Sequence, residues 1–303
     1  MDAQKASITA LVCGFTRAYH AKNDSPKIFE DFWAERLLSP EEYAFMEKSV
    51  TSLLNLFEPE TAGTVDEATA RRLVMQKYNS STVLSRARFI EDSLEKAISA
   101  GIDQYVILGA GLDTFAIRRP ELVARVRVFE VDHPASQADK NDRLMRAAGG
   151  LPENLVLVPV NFESDDLREC LLRGGFDTKK PAFFSWPGVT YYLELEAIRN
   201  TLRIIADLSA PGSGLVFDYA DDTAFDPARI SDREKKLQSI TRQTGEPMKT
   251  GFVPSELEAE LKGYGFKTIE NLDPAAIEER FFLNRSDLYH AFDTAHFIHT
   301  EKL

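Results

Sequence analysis

Through the first eighty positions of the chain, apolar residues return every three or four places: Phe29, Phe32, Trp33 and Leu37, then Phe45, Leu53, Leu54, Leu56 and Phe57. That is the period of helices with one buried face, and no alternating strand pattern interrupts it. Beyond residue 81 the rhythm changes. A helix is predicted over 86–100, with Phe89, Ile90, Leu94, Ala97 and Ile98 on one face and Gly101 as its stop. Short apolar runs follow at 105–108, 126–131, 155–160, 182–186, 215–219 and, more weakly, 267–271. Helix-like stretches at 136–148, 193–208 and 255–264 lie between them, the last opened by an expected capping box, Ser255 with Glu258. Segment 291–298 fits a final edge strand, though its pattern does not separate strand from helix. Strands that are apolar throughout and separated by helices predict a mostly parallel sheet covered on both faces. With right-handed crossovers this is a doubly wound, Rossmann-like α/β fold. The expected organisation is one domain over 1–303. It has a helical cap at 1–81 and a core at 82–303, with an insertion at 220–254 long enough to serve as a lid.

Composition narrows the partners. The 303 residues hold 36 basic and 48 acidic side chains, a net charge of −12. A surface that acidic repels phosphate backbones and anionic lipid, so neither nucleic acid nor a membrane is an expected partner. Two cysteines, Cys13 and Cys170, are too few for a disulfide framework or a zinc site. No signal-peptide core follows Met1, and no apolar run reaches the ~20 residues of a membrane span, so a cytoplasmic location is expected.

The sharpest local signal is an apolar run that enters Gly109-Ala110-Gly111-Leu112-Asp113-Thr114 directly. The first glycine of such a turn takes a conformation that other residues resist, and the second lets a ligand approach the main chain. The next run ends Phe129-Glu130-Val131-Asp132, with the aspartate 21 residues past Gly111 (132 − 111). An acid at that strand tip accepts hydrogen bonds from a ribose. The pattern predicts a nucleoside site at the carboxyl ends of the strands. A dinucleotide fingerprint would place a third glycine where Thr114 stands, and a carboxylate such as Asp113 repels a diphosphate. Both features favour S-adenosylmethionine, whose ammonium and sulfonium are cationic, over NAD.

These residues resemble the leucine carboxyl methyltransferase family, more narrowly its bacterial branch of S-adenosylmethionine-dependent methyltransferases. The likeness rests on Gly109-Ala110-Gly111-Leu112-Asp113-Thr114 and on Phe129-Glu130-Val131-Asp132-His133-Pro134. It extends to Arg86-Ala87-Arg88-Phe89-Ile90-Glu91-Asp92, to Ser185-Trp186-Pro187-Gly188-Val189-Thr190-Tyr191-Tyr192-Leu193, and to Ser25-Pro26-Lys27-Ile28-Phe29-Glu30-Asp31. The resemblance implies a class I methyltransferase fold with S-adenosyl-L-methionine as cofactor. It implies that Arg88 reaches the cofactor's carboxylate, that Gly109, Ala110 and Gly111 line its methionine portion, and that Asp132 takes the ribose. Asn161 and Phe162 match the pair beside the adenine, with Asn161 standing where the family has an aspartate. Pro187 replaces the glutamate of the family's Trp-Glu-Gly-Val and brings neither charge nor backbone donor.

The implied reaction is O-methylation of a carboxylate or hydroxyl on a small or peptidyl acceptor. A carboxylate needs no general base, whereas a hydroxyl does. Trp186 and Tyr191 are the candidate substrate contacts, with core packing as the other reading of Trp186. No catalytic base is assigned, and no metal ligand: His296 and His299 would point to opposite faces of a strand. The charge run at 229–236 reads as a solvated helix face. The rival functions are an NAD-dependent oxidoreductase and a non-catalytic nucleoside-binding protein with a degenerate site.

Overall fold

The computed structural model describes residues 8–161, 165–243 and 247–303. The cap is built from α1 (Ile8–Asn23), α2 (Trp33–Leu37), α3 (Pro40–Phe57) and α4 (Glu67–Val74), the last running into a π-helical turn at Met75–Asn79. The long helix α5 (Ser81–Ser99) leads into the core. Then come β1 (Gln104–Leu108), two short helices α6 (Phe115–Arg118) and α7 (Pro120–Val123), β2 (Arg127–Asp132), α8 (Pro134–Ala148) and β3 (Leu155–Pro159). The second half runs α9 (Leu167–Arg173), β4 (Phe183–Trp186), α10 (Leu195–Leu208), β5 (Gly214–Ala220) and α11 (Asp232–Gln243). It closes with α12 (Pro254–Gly263), β6 (Phe266–Leu272), α13 (Pro274–Phe281) and β7 (Ala295–Lys302).

The strands form a single seven-stranded sheet in the order β3-β2-β1-β4-β5-β7-β6. The first five pair in parallel, and β7 runs antiparallel to both β5 and β6. Every residue of β1 and of β5 is buried, as expected of central strands covered on both sides. Alternation along β1 then divides the interior. Tyr105 and Ile107 join a core cluster with the cap, α5 and α6, while Val106 and Leu108 join a second cluster with α9, α10 and α12. The cap is thus continuous with one face of the sheet: Phe15, Leu54 and Phe57 share their cluster with Tyr105, Val216 and Phe297.

The final strand is no edge. It begins at Ala295 and lies between β5 and β6, so β6 takes the rim. Its polar residues are buried and bonded: Thr300 Oγ1 donates to Leu215 O at 3.3 Å, and His296 Nε2 lies 3.3 Å from Asp221 Oδ2. The capping box falls elsewhere too. Pro254 already occupies the first turn of α12, so Ser255 is inside the helix and no side chain caps it. A reciprocal box forms instead at α3, where Ser39 accepts from Glu42 N and Glu42 from Ser39 N. In the cap, only Trp33–Leu37 of the 29–37 periodicity is helical; Phe29 is buried from irregular chain and Phe32 is exposed.

The insertion is closed at its base. Asp222 N donates to Phe252 O at 3.0 Å and Phe252 N to Ala220 O at 2.9 Å. Its charge run is only partly solvated. Glu234 is buried and accepts from Thr294 N and Oγ1, while Arg233 donates to the carbonyls of His290 and Ala291.

Candidate functional site

Two polar assemblies stand at the carboxyl ends of the strands. The first is mostly backbone. After β1, Gly109 and Gly111 take φ values of +69° and +48°, in the left-handed region that favours glycine. The amides of Gly109 and Ala110 both donate to Val131 O, at 2.9 and 3.1 Å, which folds the loop over the tip of β2. There Asp132 ends its strand with Oδ2 accepting from Gly111 N at 2.6 Å and Oδ1 from His133 N at 2.7 Å. Val160 N donates to Asp132 O at 2.8 Å, so Asn161 follows directly beside that aspartate. Phe162 lies outside the described residues.

The cap closes on this loop. A Cβ on Gly111 would come within 3.2 Å of the Ala10 side chain, and one on Gly109 within 2.8 Å of Val189. Arg17, on α1, donates to Leu112 O at 2.6 Å and to Asp31 at 2.8 Å. Asp31 is fully buried and also accepts from Thr114 Oγ1 at 2.7 Å. Thr114 therefore fastens the cap at the place where a dinucleotide loop would carry its third glycine. The amino end of α6 is taken as well, since Phe115 N donates to Asp113 Oδ1 at 2.7 Å. A pyrophosphate would find a carboxylate where it needs free amides.

The second assembly is a knot of side chains. Asp218, 2% exposed on β5, accepts from Gly188 N at 2.6 Å and from Arg86 at 3.0 Å. Arg86 also donates to the Tyr191 hydroxyl at 2.8 Å, and its other terminal nitrogen lies 3.6 Å from Cys13 Sγ. Gly188 has φ +73°, and a Cβ there would meet the Arg86 guanidinium at 2.5 Å, so this turn and this arginine require each other. Burial pulls the Arg86 pKa down, but Tyr191 and Asp218 outweigh it and hold the guanidinium above its ordinary value. For Tyr191, burial and then Asp218 keep the phenol protonated far above its usual range.

Arg88 is placed elsewhere. It is two residues from Arg86, about 200° around the helix at 3.6 residues per turn, so the two cannot share a face. Its side chain is 45% exposed and pairs with Asp92 at 2.5 Å. Arg86 is the arginine that α5 turns toward the strand tips. Trp186 is 1% exposed and sits in the core cluster that includes α10, which fits the packing reading of this side chain. Alternation explains this, since Phe184 and Trp186 face one cluster and Phe183 the other. Tyr191 belongs to the second assembly, where its hydroxyl accepts from Arg86. Reading the sequence for motifs missed Asp218, although an acid inside the otherwise apolar Leu215–Val216–Phe217–Asp218–Tyr219 was a signal. His296 and His299 lie on opposite faces of β7, paired across from Tyr219 and Val216. No helix among the described residues is long and apolar enough to cross a membrane.

Comparison with known proteins adds three findings. The family model for leucine carboxyl methyltransferase matches residues 10–206. Among curated proteins, the chain is 39% identical over 304 residues, all of both chains, to the Bacillus subtilis protein named "Putative S-adenosyl-L-methionine-dependent methyltransferase YktD". It is 31% identical to the Mycobacterium tuberculosis Rv3787c protein of the same designation, over 78% of this chain and 72% of that one. Among solved structures, a Thermobifida fusca protein named "putative methyltransferase" aligns over 99% of this chain and 96% of its own, at TM-score 0.58 and 16% identity. A Streptomyces avermitilis DUF574 protein aligns over 96% and 97%, at TM-score 0.55 and 14% identity. The two structural likenesses speak to the fold.

Proposed function

The chain belongs to the leucine carboxyl methyltransferase family, and from that premise we propose that it transfers a methyl group from S-adenosyl-L-methionine to an oxygen of its acceptor, with a carboxylate as the favoured nucleophile. The observation that carries this reading is Asp132 at the tip of β2, its carboxylate against the positive-φ glycine loop. The donor set suits the cofactor. Gly109, Ala110 and Gly111 add no bulky side chain of their own to the loop under Val189 and Ala10, Asp132 and Asn161 offer acceptors to ribose and adenine, and Arg86, in place of Arg88, offers a buried cation for a carboxylate.

When bound, the cofactor supplies an electrophilic methyl on a sulfonium, and displacement in line needs alignment and exclusion of water. Arg86, Asp218 and Gly188 hold the β4 turn in one conformation, while α1 and Val189 close over the glycines. None of Arg86, Asp218 and Tyr191 is a free proton acceptor. The guanidinium is charged, the aspartate already takes hydrogen bonds from Gly188 and Arg86, and the phenol holds its proton. A hydroxyl acceptor would need a base that this assembly does not offer, whereas a carboxylate arrives as an anion. This supports the carboxyl reading over the hydroxyl one.

The test is calorimetric titration with S-adenosylmethionine, S-adenosylhomocysteine and NAD, followed by assays of S-adenosylhomocysteine release. Acceptors should be offered as matched pairs, an acid and the alcohol of the same skeleton. Turnover of the acid alone is expected. Binding of NAD in preference to the adenosyl ligands, or turnover of the alcohol alone, would overturn the proposal.

A further inference from the structure

The insertion between β5 and β6 borders an open pocket of about 210 Å³, with Phe225, Pro227, Lys235 and Arg242 of its lining exposed, that the proposed chemistry does not use. Its floor is apolar: Ala224 and Ile230 are buried, and Phe225 and Met248 border the opening. The facing wall is one side of α11, where Lys235, Gln238 and Arg242 are spaced i, i+3 and i+7. The other side of α11 is committed to the protein. Leu237 and Ile240 pack on the cap-side core, and Lys236 donates to Phe57 O at 2.5 Å. The cavity is therefore not a gap left by a loose helix, because α11 is anchored on its opposite face and Gln238 is tied to Ala224 O at 2.8 Å.

Phe225 is held in place by the closing turn. A Cβ on Gly251 would meet Asp221 O at 2.5 Å and the Phe225 ring at 2.9 Å, so the glycine lets the aromatic lie against the base of the insertion. Charge gives the cavity its sign. On a chain with 48 acidic residues against 36 basic, its described lining brings two cations, Lys235 and Arg242, to one wall. Lys235 has Asp232 at 3.3 Å, but that carboxylate is 88% exposed and its hold is screened by water. Arg242 spends one donor on Gln238 Oε1 at 3.2 Å. The size is also limiting. A cavity of about 150 Å³ accepts one benzene, so this one holds a single ring or a short branched chain with a small polar head.

We propose that this cavity is a binding site for a small monocarboxylate, its ring or branched chain against Ile230 and Phe225 and its carboxylate between Lys235 and Arg242. The site lies near the β4 turn, since Lys249 N donates to Tyr191 O at 2.7 Å one residue past Met248. It stands or falls apart from methyl transfer, because binding is read without cofactor or turnover.

The probe is 4-fluorophenylacetate, followed by fluorine NMR on the full chain, with phenylacetate and phenylacetamide as competitors. Saturable binding with a dissociation constant on the order of a millimolar is expected, displaced by the acid and not by the amide. The double variant Lys235→Gln/Arg242→Gln should weaken it at least about tenfold, and Ile230→Trp, which fills the floor, should abolish it. In both variants, calorimetry with S-adenosylhomocysteine and thermal melting should match the parent, which separates a lost site from a lost fold. Equal displacement by the amide, unchanged affinity in the double variant, or no saturation by about 10 mM probe would each overturn the proposal.

Discussion

Around β1 and β2 the crevice is shaped by backbone, whereas across β4 and β5 it is shaped by buried side chains. On the first side, two left-handed glycines and three loop amides set the geometry, and one carboxylate, Asp132, completes it. On the second, Asp218 satisfies a guanidinium and a backbone amide at once, and the turn at Gly188 depends on both. A backbone-built site tolerates loss of Asp132 as a loss of ligand contacts. A buried ionic knot does not, because removing one member leaves the others desolvated and unpaired.

The largest expected effect lies on the second side. Asp218→Ala should lower unfolding stability by about 3–5 kcal/mol, since it strands Arg86; denaturant titration checks this, and a loss below about 1 kcal/mol would mean the knot is water-filled. Next comes Glu130, buried under the β2 tip in an ion pair with Lys140. Burial raises its pKa from 4.5 to about 7, with Lys140 opposing the shift. A raised carboxyl pKa means that the folded state holds the proton more tightly. The stabilisation it gives is therefore complete below about pH 4.5 and is lost as the pH rises to about 7, on the order of 3 kcal/mol in all. Buried His299, pulled down to about 4, works in the opposite direction over much of that range. The quantity to measure is accordingly the unfolding stability of the parent minus that of Glu130→Gln, which cancels the His299 contribution and should fall between pH 4.5 and 7.

Asp132→Ala should leave the fold intact and weaken cofactor binding by about 1.5–3 kcal/mol for each ribose hydrogen bond lost, less where water substitutes. Unchanged affinity in calorimetry would remove the ribose assignment. The smallest effect is the most discriminating. Arg88→Ala should change neither cofactor affinity nor stability by more than about 0.5 kcal/mol, whereas Arg86→Ala should reduce both. The reverse result would restore the arginine suggested by the family motif.

The glycine loop, the spacing of Asp132 and the five parallel strands were legible in sequence because each is a local matter. A backbone turn needs glycine where φ is positive, and a buried strand needs an apolar run, whatever else surrounds it. The position of β7 was not legible in the same way. His296 and Thr300 look solvent-facing until their partners, Asp221 and Leu215, arrive from β5 and the turn after it. The choice between Arg86 and Arg88 shows the same limit within a single motif. Both arginines are equally good donors, and only the packing of α5 on the sheet decides which one is turned inward.

Sequence alone determined that this chain forms a doubly wound sheet with a nucleoside-type loop after its first strand and an acid at the tip of its second. Tertiary structure decided what stands opposite: Arg86, Asp218 and the Gly188–Tyr191 turn come from three separate segments, and Thr114 meets Asp31 across 83 residues. The division has a physical basis. Backbone conformation and strand hydrophobicity are set by neighbours a few residues away, whereas a buried charge is stable only with partners that distant segments supply, and no spacing rule in one segment announces them.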